Sequence, residues 1–171
     1  VGPAEVVIGV AASGGTPFTL AGLQAARARG ALTIAIFNSP DAPMAHAADH
    51  PVLLDTGAEF VAGSTRMKAG TAQKAALNVL STGVMIRLGF VWRGKMVEMR
   101  PTNAKLRRRA IAMVAELTGR PPEAAAGALE AGGTIKRAVV MLALGLDAGA
   151  AEAHPARHDG NLARAMEGQG G

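Results

Sequence analysis

No cysteine and no tyrosine occur among the 171 residues, and aromatic side chains make up only 3%. The first absence excludes disulfides, thiolate nucleophiles and cysteine-ligated metals, and it fits a reducing compartment. The scarcity of aromatics argues against the stacking platforms that bind single-stranded nucleic acid. Long apolar runs are missing too: the longest, Ala138–Leu146, is about half of what a membrane-spanning helix needs. No basic segment precedes an apolar one at the N-terminus, so no signal peptide is visible. A soluble, cytoplasmic protein with no membrane partner is the expectation.

Charge excludes little but points somewhere. The formal balance is +5, with the basic residues scattered except for Lys105-Leu-Arg-Arg-Arg109. That run reads as a solvated helix face, so no nucleic-acid partner is expected; a modest positive balance suits an acidic small molecule. His46 and His50 straddle a turn, and His154 and His158 flank Pro155 in a polar tail, so no metal site and no cofactor are expected. Neither a G-x-S-x-G elbow, a P-loop lysine nor a G-x-G-x-x-G fingerprint is present.

What remains is a hydrophobic fraction of 49%, enough for a folded core. Glu5–Ala11 carries four β-branched residues and reads as a buried strand. Ala12-Ser13-Gly14-Gly15-Thr16 then leads into Pro17, a proline at a first helical position, and a helix to about Arg29. A strand, a glycine turn with two hydroxyls and a helix start make a place to hold an anion. The same residues also describe an ordinary capped turn, and spacing alone leaves both readings open.

Leu32–Phe37 predicts a second strand, Pro43–Ala48 a short helix and Val52–Leu54 a third strand, the pattern of right-handed parallel crossovers. Ligands in such sheets bind at the carboxyl ends of the strands, where Ala12–Thr16 and Asn38–Ser39 fall. A loop over Asp55–Gly63 precedes a long helix from Ser64 or Thr65 to Leu88, with Leu77, Leu80, Val84 and Leu88 on one stripe. In this stretch Ser64 or Thr65 caps the helix, and Arg66 and Lys68 place positive charge where it opposes the dipole, which invites an anionic ligand. Glu59 precedes them and reads as a surface or capping carboxylate or, less simply, as a catalyst.

Beyond a possible strand at Phe90–Trp92, helices are expected from an Asn103 cap to Leu117 and over Pro122–Ala131, Ile135–Leu144 and Ala148–Ala153. Met85 and Met113 read as core fillers. The boundary falls near Pro101, giving an α/β part over 1–100 and a small all-α domain over 101–171. Its tail after Pro155 is expected to fray, with Leu162 and Met166 anchoring one last turn. Three strands make an incomplete parallel sheet, so either a partner or a further segment covers it. The start at Val1, almost directly in a strand, predicts a beginning inside a larger fold.

The run Gly63-Ser-Thr-Arg-Met-Lys-Ala-Gly-Thr-Ala-Gln-Lys74, followed by Leu77-Asn78, Ser81-Thr82 and Met85, closely resembles the signature of the N-acetylmuramic acid 6-phosphate etherases. Ala11-Ala-Ser-Gly-x-Thr-Pro17 resembles that family's second phosphate loop, and Thr102-Asn103-x-Lys105-Leu106-x-x-Arg109-Ala110 its later helix. The resemblance covers nearly the whole chain and corresponds to the C-terminal three-fifths of such an enzyme. It implies a partial parallel sheet of the sugar isomerase (SIS) type followed by a small helical domain. It also implies a lyase that cleaves the lactyl ether of a sugar phosphate in cell-wall recycling, without a cofactor and as a homodimer.

By position in that pattern, Ser13, Gly14 and Thr16 are implied to grip the phosphate, and Glu59, Ser64, Thr65 and Lys68 to border the sugar. The family usually has arginine where this chain has Gly15, and its catalytic glutamates lie in an upstream stretch with no counterpart here. The catalytic residues are therefore unknown, with Glu59 a weak candidate, and this chain alone is expected to be inactive. A non-catalytic SIS sugar-phosphate sensor and an SIS aldose–ketose isomerase stay open as alternatives.

Overall fold

The computed structural model describes residues 1–156 and 158–167. Packing divides the chain into two compact units, Val1–Leu80 and Ser81–Gly171. The boundary placed near Pro101 from sequence lies inside the second of them.

In the first unit, β1 (Val6–Val10), β2 (Leu32–Phe37) and β3 (His50–Leu53) form a parallel sheet in the order β1-β2-β3. Ile8 faces Ile34, and Ile34 in turn faces His50. Between the strands run α1 (Pro17–Ala28) and the single turn α2 (Met44–Ala47). Because side chains alternate along a strand, Val7, Ala35 and Phe37 turn to one face, where they pack with Leu23, Ala42, Met44 and Ala48. Val6, Ile8, Leu32 and Val52 alternate with them on the other face and stay 37–53% exposed. The incomplete covering read from three strands is therefore a bare apolar face as well as two unpaired edges.

A helix, α3 (Lys68–Arg87), follows a loop. It begins later than the Ser64 or Thr65 expected from sequence, because neither residue caps it. Its predicted apolar stripe exists but is not buried: Leu77, Val84 and Leu88 are 37–52% exposed, and Ala69 is the helix's buried residue.

In the second unit the end of α3 is followed by a hairpin, β4 (Val91–Trp92) and β5 (Lys95–Met96), of which the sequence suggested only the first strand. Arg93 and Gly94 both take positive φ, the geometry of a tight hairpin turn. Five helices follow: α4 (Ala104–Thr118), α5 (Pro122–Gly132), α6 (Ile135–Leu144), α7 (Ala148–Ala156) and α8 (Leu162–Glu167). Asn103 caps α4 as predicted, its Oδ1 accepting from the Leu106 amide at 2.9 Å. Ala110, Met113, Val114 and Leu117 turn inward to meet Leu129, Ile135, Val139 and Leu162 in one core. The frayed tail expected at the end falls partly on residues 157 and 168–171, outside the described residues; Leu162 itself is fully buried.

One polar cluster ties the first unit together. Thr33 is fully buried in β2, and its amide and hydroxyl donate to Asp49 Oδ2 at 2.9 and 2.7 Å. The same hydroxyl accepts from the Asp49 amide at 3.0 Å, while Arg27 at the end of α1 meets Asp49 Oδ1 at 3.0 Å. The Thr33 hydroxyl and amide, with the Arg27 guanidinium, hold the Asp49 carboxyl below the usual aspartate range. A carboxyl whose pKa is lowered by folding stabilises the fold at neutral pH and loses that contribution as pH falls through the aspartate range. Asp49→Asn should thus lower the urea midpoint at pH 7, and the gap from wild type should narrow at pH 3. A gap of equal size at both pH values would show that the charge of Asp49 does not stabilise the fold.

Candidate functional site

The carboxyl ends of the three strands meet at a cleft of about 310 Å³, lined by Ala12, Ser13, Asn38, Ser39, Asp55–Glu59, Thr65 and Ala69. Backbone bonds continue the sheet past its strands here. The Ala11 amide donates to the Ile36 carbonyl, that of Asn38 to Ala12 and that of Leu54 to Phe37. Asn38 adds its side chain, with Nδ2 donating to the Leu54 carbonyl and Oδ1 accepting from Gln73 Nε2, both at 2.8 Å. Three loops and the first turns of α3 are held in one register by this residue. Sequence reading placed Asn38 at the site but missed its role, because a bond to a residue 35 positions away leaves no periodic trace.

On one side of the cleft the loop after β1 turns sharply. Gly14 sits at φ 62°, its amide bonded to the Ala11 carbonyl at 2.9 Å and its carbonyl accepting from the Met44 amide at 3.1 Å. Ser13 Oγ lines the cleft and accepts a long 3.3 Å bond from the Gly15 amide. Thr16 precedes α1 in the N-cap position, yet its side chain makes no capping bond. The hydroxyl that usually satisfies a helix's first amides is left unused, next to a helix N-terminus with proline in its first turn. Around Gly15 a Cβ would meet nothing within 4 Å.

The facing wall is built differently. Glu59 accepts from the Lys68 amide with both oxygens, each at 3.1 Å, and Oε1 also accepts from the Ala69 amide at 3.0 Å. The Lys68 ammonium folds back to the Ala58 carbonyl at 2.7 Å. The amides that start α3 are thus filled by an internal carboxylate, and the Lys68 charge is engaged beside it. The Ala69 and Lys68 amides, together with the Lys68 ammonium, hold the Glu59 carboxyl below the usual glutamate range. A carboxylate stabilised in this way is a poor proton acceptor. Of the residues singled out from sequence, Ser13, Glu59 and Thr65 share the cleft. Gly14 and Thr16 shape the turn beside it, while Ser64 is placed by its amide's bond to the Val61 carbonyl.

The four histidines collect no carboxylates: among the described residues there is no group of three or more metal-ligating side chains. His154 Nε2 instead contacts the Ala165 carbonyl at 2.9 Å in the second unit.

Gly14 provides a direct test of the turn. A Cβ there would lie 2.3 Å from the Ala42 Cβ, at a φ that L side chains rarely adopt. Gly14→Ala should lower stability by about 1–3 kcal/mol through strain, measured by urea unfolding. An unaltered midpoint would mean that the turn relaxes freely and does not fix the Ser13 side of the cleft.

The SIS domain family matches residues 1–83, which contain the whole cleft. N-acetylmuramic acid 6-phosphate etherases are similar to the chain over most or all of its length. That of Deinococcus radiodurans is 52% identical over 100% of this chain and 53% of its own length. That of Symbiobacterium thermophilum is 54% identical over 84% and 48%, and that of Cronobacter sakazakii 45% over 95% and 55%. The chain therefore spans about half the length of the curated relatives it matches. Residues 1–83 thus match the SIS domain family, and the chain matches, at about 50% identity, the C-terminal part of the N-acetylmuramic acid 6-phosphate etherases.

Proposed function

We propose that the protein to which this chain belongs is an N-acetylmuramic acid 6-phosphate etherase, with the cleft of the first unit as part of its sugar-phosphate site. The observation that carries this reading is the 52% identity along the entire chain to an enzyme of that name. The geometry supports it chemically. Ser13 and the uncapped Thr16 hydroxyl stand at a helix N-terminus, where donors and dipole together favour a phosphate. Across the cleft, Thr65 offers a hydroxyl to the sugar. A cytoplasmic homodimer belongs to the same reading, as does a catalytic pair of carboxylates from outside this chain.

The reaction implied by the family needs ring opening to an aldehyde, removal of the acidic C2 proton, departure of lactate from C3 and addition of water there. Atoms balance as ether plus water giving alcohol plus D-lactate. A base, an acid and a firm hold on the phosphate are the requirements. Glu59, with its oxygens accepting backbone amides, is poorly suited to the base. A sugar-phosphate sensor would keep the same phosphate loop, but the relatives' names favour the lyase.

Two measurements test this. Thr16→Val should weaken binding of N-acetylglucosamine 6-phosphate about tenfold, the value of one charge-assisted hydrogen bond; equal affinity by calorimetry would remove Thr16 from the site. Second, the 171-residue chain should release no D-lactate from N-acetylmuramic acid 6-phosphate above background, whereas a protein of the relatives' full length should. Loss of an acid or base costs about 10²–10⁴ in rate. Turnover by the short chain would place the catalytic carboxylates within it, and no turnover by the long one would sink the etherase reading.

A further inference from the structure

The segment between Glu59 and Ala69 is held in an unusual way. Phe60 is 90% exposed, Val61 58% and Met67 60%, so its apolar residues do not anchor it in a core. Its closure is polar instead. Glu59 bonds the amides of Lys68 and Ala69, and the Lys68 ammonium bonds the carbonyl of Ala58 from the opposite direction. These contacts join residues nine and ten apart and convert a free segment into a closed loop. Within the loop, the Ser64 amide bonds Val61 and the Thr65 carbonyl accepts from Gly70, so Thr65 rides on the turn that the clamp fixes. Ala69, which receives the carboxylate, is 3% exposed and gives the clamp a buried foundation.

We infer that Glu59 is a positioning residue: by capping α3 from nine residues upstream, it locks the 60–67 loop and sets the Thr65 hydroxyl against the Ser13 side of the cleft. This rests on the reading of the cleft as a sugar-phosphate site. The carboxylate acts through the loop and transfers no proton. An ordinary helix cap without effect on the ligand, and a base acting on the substrate, are the two rival roles. They differ in what a glutamine restores. Glutamine keeps one carbonyl oxygen, and in the present geometry a single oxygen, Oε1, reaches both amides. A glutamine cannot act as a base.

The test compares Glu59→Gln and Glu59→Ala in the full-length protein. Affinity for N-acetylglucosamine 6-phosphate is read by calorimetry, KM and kcat by D-lactate release, and hydrogen exchange at the Lys68 and Ala69 amides. Positioning predicts that Glu59→Ala exposes both amides and raises Kd and KM about tenfold or more, the scale of a misplaced contact. Glu59→Gln should recover most of the affinity and the amide protection, with an unshifted pH profile of kcat. Equal affinity in wild type and Glu59→Ala would reduce Glu59 to a plain cap and overturn the proposal. Loss of kcat in Glu59→Gln with protected amides and normal affinity would make it a base and overturn it too. If the wild type binds the sugar phosphate but releases no lactate, the etherase reading fails while affinity and exchange still decide the clamp. A wild type that binds no sugar phosphate overturns both.

Discussion

Asn38 joins three separate stretches of chain by hydrogen bonds: its amide to Ala12, its Nδ2 to Leu54 and its Oδ1 to Gln73. The residue sits directly after β2, the central strand of the order β1-β2-β3. These bonds tie together the stretches that lead into the cleft. The Ser13 turn hangs from Ala12, the Asp55–Glu59 stretch follows Leu54, and Gln73 fixes the first turns of α3. A half-buried amide side chain can satisfy both its donor and its acceptor in this way, which neither a carboxylate nor an aliphatic residue could do. The strands bring the loops near one another, and Asn38 sets their register.

The covering of the sheet is lopsided, and physical chemistry says that this is costly. A parallel sheet normally buries both faces beneath helices. Here α1 and α2 cover one, while Val6, Ile8, Leu32 and Val52 on the other meet solvent, as do Leu77, Val84 and Leu88 along α3. Clustered exposed apolar side chains on a sheet face commonly mark an interaction surface. The chain spans about half the length of its curated relatives, and the bare face agrees with the proposal that the active protein is longer. The loop after β1 is not compromised by this, since Gly14, Ala42 and Met44 fix it from the covered side.

Much of this was legible from the residues. The β1–turn–α1 unit, the second strand, the short helix and the cap at Asn103 follow from local propensities and capping chemistry, and local rules hold where local contacts decide. The structure differs where contacts are distant. The start of α3 was read from Ser64 or Thr65, the hydroxyls beside it, whereas the cap comes from Glu59, nine residues upstream, which sequence offered as a surface or capping carboxylate without naming the amides it meets. β5 was missed because two residues carry no alternation, and its turn places Arg93, not an asparagine or glycine, at positive φ. Leu77, Val84 and Leu88 show the converse limit. Periodicity picks out a stripe on α3 but cannot say whether anything lies against it, and Val79 and Ile86 are exposed apolar residues off that stripe.

Two helix N-termini stand at the same end of the sheet, and from sequence both looked like anion sites. Their chemistry is now distinguishable. At α3 the first amides are taken by Glu59, so the dipole is already answered by a negative charge from within the chain. At α1 no acidic residue lies in the first turn and the Thr16 hydroxyl makes no capping bond, so the dipole has no internal partner. An anion entering the cleft is repelled by the Glu59 carboxylate on one wall and meets open donors on the other. On the proposed reading, a sugar phosphate takes one orientation under those conditions, with its phosphate at Ser13 and Thr16 and its neutral ring toward Thr65. On that reading the direction of binding follows from which helix the protein caps for itself and which it leaves for the ligand.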